Sequence, residues 1–218
     1  MTCAICHVRK EKRFCLALHD RICAQCCGEQ REVTLDCPSE CPYLQQARQH
    51  EKPRDFGGQL PEELFPSVEI TQEFLQRHEP LIAGLLQTLL RLSASDRNLK
   101  DRDLIGALSA MARSYQTLVA SGLVYQEPSA NPAQLAMMDV LRRSVEEFRQ
   151  LEQQHMGYTA LRDSDVLRAL VFMVRLGHIN TSGRPLSRRF LDGLHERFPE
   201  PGPAGEAAAD NRSRIILP

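Results

Sequence analysis

The chain has 218 residues, of which 42% are hydrophobic and 25% are charged, and its formal net charge is -1. This composition excludes an intrinsically disordered protein, and the near-zero charge excludes a general attraction to nucleic acid or to an acidic membrane. No stretch approaches the roughly eighteen consecutive apolar residues of a membrane span, and no secretory leader is recognisable at the N-terminus. We therefore expect a cytoplasmic protein without a membrane partner.

All eight cysteines lie within the first 41 residues. They are Cys3, Cys6, Cys15, Cys23, Cys26, Cys27, Cys37 and Cys41. Two Cys-x-x-Cys pairs have the spacing that lets two thiolates bind one tetrahedral ion. Because the cytosol keeps thiols reduced, metal explains the cluster better than disulfides do. The pattern predicts a zinc-binding domain over residues 1–52 that holds two Zn²⁺ ions, with all eight cysteines as ligands.

The pairing of the cysteines follows from one adjacent pair. Neighbouring side chains point in opposite directions in extended backbone, so Cys26 and Cys27 are expected to serve different ions. The preferred arrangement places Cys3, Cys6, Cys23 and Cys26 on one ion, and Cys15, Cys27, Cys37 and Cys41 on the other. Pairing in chain order, a ligand role for His7 or His19, a single zinc with spare thiols, and an iron–sulfur cluster all remain open.

Part of this region carries a family resemblance. The residues Ile22-Cys23-x-x-Cys26-Cys27-Gly28-x-x-Arg31-Glu32, followed by Cys37-Pro38-x-x-Cys41-x-Tyr43-Leu44, resemble a signature of uncharacterised bacterial proteins with an N-terminal Cys-rich domain and a helical C-terminal part. In broader terms the domain resembles treble-clef or cross-brace zinc fingers. The resemblance implies zinc, a bacterial cytoplasmic setting and a role as an interaction platform, and it implies no catalytic mechanism.

Three local signals predict the shape of this domain. Gly28 suits a left-handed turn that would close the second cysteine knuckle. Val33-Thr34-Leu35 alternates as a short strand does. Pro42 suits the first turn of a helix, which we expect to run to about Lys52.

The chain after residue 52 changes character. Residues 53–66 contain Gly57-Gly58 and three prolines and are predicted to be a linker. Residues 67–198 follow as a helical bundle, in which apolar residues recur at steps of three and four. We expect long helices over 68–94 and 132–155 and a shorter one over 186–198, with Pro80 either kinking or splitting the first.

The bundle contains an internal echo. Leu99–Arg113 and Leu161–Arg175 both read L-[KR]-D-x-D-[LV]-[IL]-x-A-L-x-x-M-x-R. In each copy the first Asp is expected to cap a helix and the second to favour its dipole. We infer a mainly α fold: a small two-zinc finger, then a bundle of two pseudo-repeated helix hairpins, then a C-terminal helix. Chance similarity between two capped amphipathic helices is the alternative.

Motifs for catalysis are missing from the sequence. His78-Glu79 and His195-Glu196 each lack the second histidine of a zincin helix, and no phosphate-binding glycine loop or nucleophile elbow occurs. The repeated acids Asp101, Asp103, Asp163 and Asp165 could form a carboxylate metal cluster, but helix capping is the simpler interpretation. We predict a non-enzymatic zinc-binding adaptor or regulatory protein that acts through another protein and has no small-molecule substrate.

Two further hypotheses concern interaction surfaces. As an alternative function, a basic patch on the finger would bind DNA or RNA; its residues are Arg9, Lys10, Lys12 and Arg13. Interspersed acids make a mixed-charge surface the simpler interpretation of that patch. Residues 199–218 are predicted to be a disordered tail. Its apolar end is a candidate docking peptide, for a partner or for the chain's own bundle, and comprises Ile215, Ile216 and Leu217.

Overall fold

The computed structural model of the chain describes residues 1–58, 60–125 and 131–198. Within those ranges it contains eight α-helices and one two-stranded hairpin, which confirms the predicted mainly α fold with a small Cys-rich N-terminus. The predicted tail and its apolar end at residues 215–217 lie outside the described residues. Among the described helices, none is both long enough and apolar enough to cross a membrane.

The N-terminal module, residues 1–52, is built on a hairpin and two short helices. Strands β1 (Arg13–Cys15) and β2 (Asp20–Ile22) pair antiparallel, with Cys15 opposite Asp20. Helix α1 spans Ala24–Gln30, and helix α2 spans Pro42–His50 with Pro42 in its first turn as predicted. Outside its cysteines the module buries Ile22, Leu35 and Leu44, a small apolar core for a stretch of this length.

Two local predictions for the module are wrong. Gly28 lies inside α1 rather than in a left-handed turn, and the left-handed residues of the module are His7, His19 and Glu32. Residues 33–35 form no strand, because the carbonyl oxygen of Gln30 accepts hydrogen bonds from the backbone N–H groups of all three. This tight turn after α1 replaces the strand and leaves only an isolated bridge to Leu35.

Six helices follow. They are α3 (Gln72–Arg77), α4 (Glu79–Ser95), α5 (Asp101–Ser121), α6 (Pro132–Met156), α7 (Asp163–Asn180) and α8 (Arg189–Arg197). The long helix predicted over 68–94 is split in two at His78, because Pro80 lies in the first turn of α4 and cannot continue a preceding helix. The Thr71 hydroxyl accepts a hydrogen bond from the Phe74 N–H at 3.1 Å and so caps α3.

The closest helix pair in the bundle is α5 and α7, the two helices that carry the internal echo. They approach tightly: a Cβ added at Gly177 would lie 2.8 Å from Cγ1 of Ile105. Helix α6 packs on both α4 and α5. Helices of different repeats therefore pack against each other more than helices of the same repeat do. The repeats are not the two separate helix hairpins that the sequence predicts. Fully buried side chains between these helices include Leu81, Leu85, Leu89, Leu104, Leu108, Met111, Leu141, Leu170 and Met173.

The last part of the predicted linker packs into the bundle. Leu64 and Phe65 are buried in the bundle core, and a short 3-10 turn at Glu62–Leu64 leads into them. The Arg175 guanidinium donates to the carbonyl oxygens of Leu64, Phe65 and Val68 at 2.7–2.9 Å. Arg175 therefore anchors this stretch to α7.

Candidate metal centre

Four cysteines of the module form a compact cluster. The Sγ atoms of Cys3, Cys6, Cys23 and Cys26 all lie within 4.8 Å of one another. Four sulfurs around one tetrahedral zinc, each about 2.3 Å from the ion, lie about 3.8 Å apart, so this cluster needs little contraction to hold a metal ion. These are the four cysteines that the interleaved pairing assigns to one ion.

Local backbone structure brings the two pairs together. Cys23 is the N-cap of α1, and its sulfur accepts a hydrogen bond from the Cys26 N–H at 3.3 Å. In the first pair, the left-handed His7 turns the chain so that its N–H reaches the Cys3 carbonyl at 2.9 Å. The Ala4 N–H then bonds to the Arg21 carbonyl at 3.0 Å, which joins this turn to β2.

Three of the four thiols are shielded from water and Cys6 is partly exposed, and the thiols differ in acidity. Cys3, Cys23 and Cys26 are each less than 5% exposed. Burial opposes ionisation of Cys3, but hydrogen bonds from the backbone of Cys6, Cys23 and Ile5 outweigh it and lower the pKa of Cys3 to about 6. Burial, together with the neighbouring cysteines, raises the pKa of Cys26 to about 12. Because the pKa of Cys3 is about 6, this thiol is mostly ionised at neutral pH, and its negative charge attracts a metal cation.

One arginine lies against this cluster. Nη1 of Arg9 is 3.7 Å from the Cys23 sulfur and 3.8 Å from the Cys26 sulfur. A zinc with four thiolates has a net charge of -2, so a guanidinium at this position offsets part of the excess negative charge. Arg9 is also one of the four candidate nucleic-acid residues, and it is exposed as well as in contact with these sulfurs, so that prediction stays untested.

The remaining four cysteines do not form a second compact cluster among the described residues. Cys15, Cys27 and Cys41 are buried and Cys37 is partly buried. Cys15 and Cys27 belong to the buried apolar cluster of the module, and Cys37 packs against that cluster. Among the described residues, however, only the first set has its ligand atoms within 4.8 Å of one another. The second zinc site therefore stays a prediction.

Two more arginines approach the second set. Arg13 Nη1 lies 3.4 Å from the Cys27 sulfur, and Arg31 Nη2 lies 3.9 Å from it. The Arg13 guanidinium also stacks over the ring of Tyr43, 4.6 Å from its centroid. Of the four candidate nucleic-acid residues, only Lys10 and Lys12 are thus exposed without a sulfur contact. His7 and His19 are exposed and lie outside the compact cluster.

No protein-family model, curated protein or solved structure matches this chain. The resemblance to bacterial Cys-rich zinc proteins therefore stays a prediction that depends on the residues of the module alone.

A buried carboxylate ties the module to the bundle, and no sequence pattern pointed to it. Glu32 is only 1% exposed. Its carboxylate accepts hydrogen bonds from Arg48 at 3.1 Å and from the Ser182 hydroxyl at 3.1 Å. Its carbonyl oxygen accepts from the Leu186 N–H at 2.8 Å. Arg184 adds bonds from Nη1 to the carbonyl oxygens of Gly28 and Arg31, so the end of α1 is held by the bundle.

The four repeated acids do not gather into a metal site among the described residues. Lys100 and Arg162 are the N-caps of α5 and α7, so Asp101 and Asp163 are first-turn residues and not the predicted caps. Asp101 is buried and accepts hydrogen bonds from α8, whereas Asp163 pairs with Arg149 at 2.6 Å. Equivalent positions in the echo therefore have different partners.

Proposed function

We propose that this protein is a non-enzymatic zinc-binding adaptor or regulator whose Cys-rich module makes contacts with another protein. The observation that carries the proposal is the compact and largely buried cluster of Cys3, Cys6, Cys23 and Cys26. A catalytic zinc keeps one coordination position for water or substrate, whereas four thiolates complete the coordination of a structural zinc. A thiolate cluster that must stay reduced also fits a cytoplasmic protein.

Apolar side chains on the module surface support a role in protein contacts. Phe14 is 48% exposed and Leu18 is 43% exposed, and both lie on the β1–β2 hairpin. Val8, in the turn after the first cysteine pair, is 83% exposed. Aromatic and aliphatic side chains on a rigid support are typical anchors at protein interfaces. The nucleic-acid alternative has less support, since Arg9 and Arg13 contact cysteine sulfurs.

Metal content is the first test of this proposal. Elemental mass spectrometry on protein purified without a metal-binding tag should find two zinc ions per chain. Iron with visible absorbance, or protein that folds without any metal, would contradict the closed zinc module.

The partner surface is tested by substitutions on the hairpin. Immobilised native protein and a Phe14→Ser/Leu18→Ser double variant are compared for the proteins they retain from a bacterial extract. We expect a specific protein that is enriched on the native chain to be lost on the double variant. A Leu151→Ser variant is the control, because Leu151 is 53% exposed but lies on α6 in the bundle. Equal retention by the native protein and the double variant would refute the hairpin as the contact surface.

A further inference from the structure

The bundle contacts only one side of the module. Among the described residues, every hydrogen bond or ion pair between residues 1–52 and the bundle involves the stretch from Gly28 to Glu51. The compact cluster, formed before residue 28, makes none of these bonds. These bonds reach the loop of Cys37 and Cys41 directly, whereas near the compact cluster they reach only the end of α1, after Cys26.

The bundle holds the loop that carries Cys37 and Cys41 at two points. Asp36 precedes Cys37, and its Oδ1 accepts from Nζ of Lys100 at 2.6 Å. Lys100 is only 6% exposed, so this ion pair is partly protected from solvent. Between the two cysteines, the Ser39 hydroxyl donates to Oδ2 of Asp192 at 2.6 Å.

The helix that follows the loop is held by the same carboxylate. Helix α2 begins directly after Cys41, and its Arg48 donates to Oδ2 of Asp192 at 2.7 Å. Arg48 also reaches Glu32, which joins α2 to the turn after α1. Asp192 on α8 therefore connects to both sides of Cys41.

We propose that Cys15, Cys27, Cys37 and Cys41 form a second zinc site whose affinity is set by the bundle through Lys100 and Asp192, whereas the first site binds independently of the bundle. This inference rests on the proposed function as a two-zinc module. Cys15 and Cys27 come from the hairpin and α1, and Cys37 and Cys41 come from the loop held by the bundle. Zinc binding must bring these two halves together, so groups that fix the loop act as outer-shell partners of the metal.

The contacts around Cys27 agree with this arrangement. Arg13 and Arg31 place positive charge on its sulfur, as Arg9 does at the compact cluster. Both sets of cysteines thus have guanidinium groups that offset thiolate charge. Among the described residues, the second set also has hydrogen bonds from the bundle to the loop that carries two of its members.

The test is zinc release from the full-length protein into a chromogenic chelator. Asp192→Asn and Lys100→Met remove the two bundle contacts separately. Each should accelerate release of one of the two zinc equivalents about tenfold, the smaller end of the effect of losing an outer-shell partner, and leave the other unchanged. The control is Asp139→Asn, which removes an exposed pair with Arg142 on α6.

Timed alkylation identifies which cysteines lose their metal first. Tryptic cleavage after Arg31 and Arg48 gives one peptide with Cys37 and Cys41, and cleavage after Arg9 gives another with Cys3 and Cys6. In both variants, the first peptide should be alkylated earlier than in the native protein, with no change in the second. Urea denaturation of each variant establishes that the bundle remains folded under the assay conditions.

The outcomes separate the two proposals. Two zinc equivalents with unchanged release, or with equal acceleration at both sites, would overturn control by the bundle and leave the zinc module intact. A single zinc equivalent in the native protein would overturn the second site and the two-zinc module together.

Discussion

Individual arginine side chains lie against three of the cysteine sulfurs. Arg9 approaches Cys23 and Cys26, and Arg13 approaches Cys27. Thiolate ligands make a zinc site strongly negative, and a nearby guanidinium lowers the cost of gathering that charge in a buried place. Basic residues next to the cysteines are therefore placed to offset thiolate charge inside the module if a metal ion is bound there.

Arg9→Ala should weaken the compact site. Without the guanidinium, the charge of four thiolates is less well compensated, and we expect zinc to leave this site about tenfold faster in a chelator competition assay. Lys10→Ala is the control, since Lys10 is exposed. Equal release rates for the two variants would show that Arg9 has no role at the metal.

The pH dependence of zinc binding should reflect the acidity of Cys3 and Cys26. A thiol that is protonated in the metal-free protein loses its proton when zinc binds, so the apparent affinity falls as pH falls. Cys26, with a pKa of about 12, contributes to this fall throughout the neutral range. Cys3, with a pKa of about 6, adds to it only below about pH 6.

Competition titrations between about pH 8 and pH 5 measure this effect. The slope of log affinity against pH should be steeper below about pH 6 than above it. A constant slope across that range would mean that the Cys3 thiol is not selectively ionised in the metal-free module.

For individual residues, the sequence predicts which cysteines cluster together, but it does not predict which side chains lie against them. The Cys-x-x-Cys spacing is a local property, so the members of the compact cluster could be predicted from the sequence. The orientation of Arg9 and the burial of Glu32 depend on packing across the module and the bundle. No periodicity or spacing encodes those contacts, and they were missed.

The helices of the bundle cap one another across the chain. Asp101, in the first turn of α5, is 1% exposed. Its carboxylate accepts from the hydroxyls of Thr181 and Ser187 at 2.9 and 2.7 Å, and from the N–H groups of Phe190 and Leu191 at 3.2 Å. The N–H groups at the start of α8 have no partner within their own helix, so Asp101 supplies their cap from elsewhere in the fold.

Asp101→Asn should therefore be costly. The amide replaces one accepting oxygen with a donor that faces other donors, and we expect a loss of about 3 kcal/mol in the free energy of unfolding measured with urea. Asp163→Asn is the matched control, since Asp163 is the equivalent residue of the echo. Its side chain is 41% exposed and pairs with Arg149, so the cost should be below about 1 kcal/mol. Similar losses for both variants would contradict the capping role.

Element positions were largely predictable because amphipathic periodicity is a strong local signal. Helices α6 and α8 and the start of α2 lie close to the predicted ranges. The break at His78 was one of two outcomes that Pro80 allowed. The turn after α1 was missed because residues 33–35 alternate as a strand does, whereas the hydrogen bonds to Gln30 that form the turn leave no pattern in the sequence.

On the scale of the whole molecule, the module and the bundle are joined by polar contacts rather than by a shared apolar core. Their buried apolar clusters are separate, and the bonds of Glu32, Arg184 and Asp192 cross between them. Each part therefore keeps its own source of stability. The bundle relies on its buried aliphatic side chains, whereas the module, with its small apolar core, is expected to rely on a bound metal ion.

Cys26→Ser should separate these contributions. Loss of one ligand removes the metal that stabilises the module, while the core of the bundle is untouched. We expect circular dichroism to retain most of the helical signal, with a fall of a few degrees in the melting temperature as the polar contacts are lost. Native protein treated with a strong chelator should give the same spectrum. Collapse of the entire helical signal in either sample would refute independent stability of the bundle.

The hydrogen bonds from Arg184 to the end of α1 can form only late in the synthesis of the chain. Arg184 is separated from Arg31 by 153 positions in the chain. At ribosomal rates of about 5 to 20 residues per second, it is made about 8 to 30 s after Arg31. During that interval the cysteines are already outside the ribosome or in its exit tunnel, without the bundle beside them. A metal ion that binds the nascent compact cluster in that interval would bind it without the bundle, and the hydrogen bonds from Arg184 to α1 can form only afterwards.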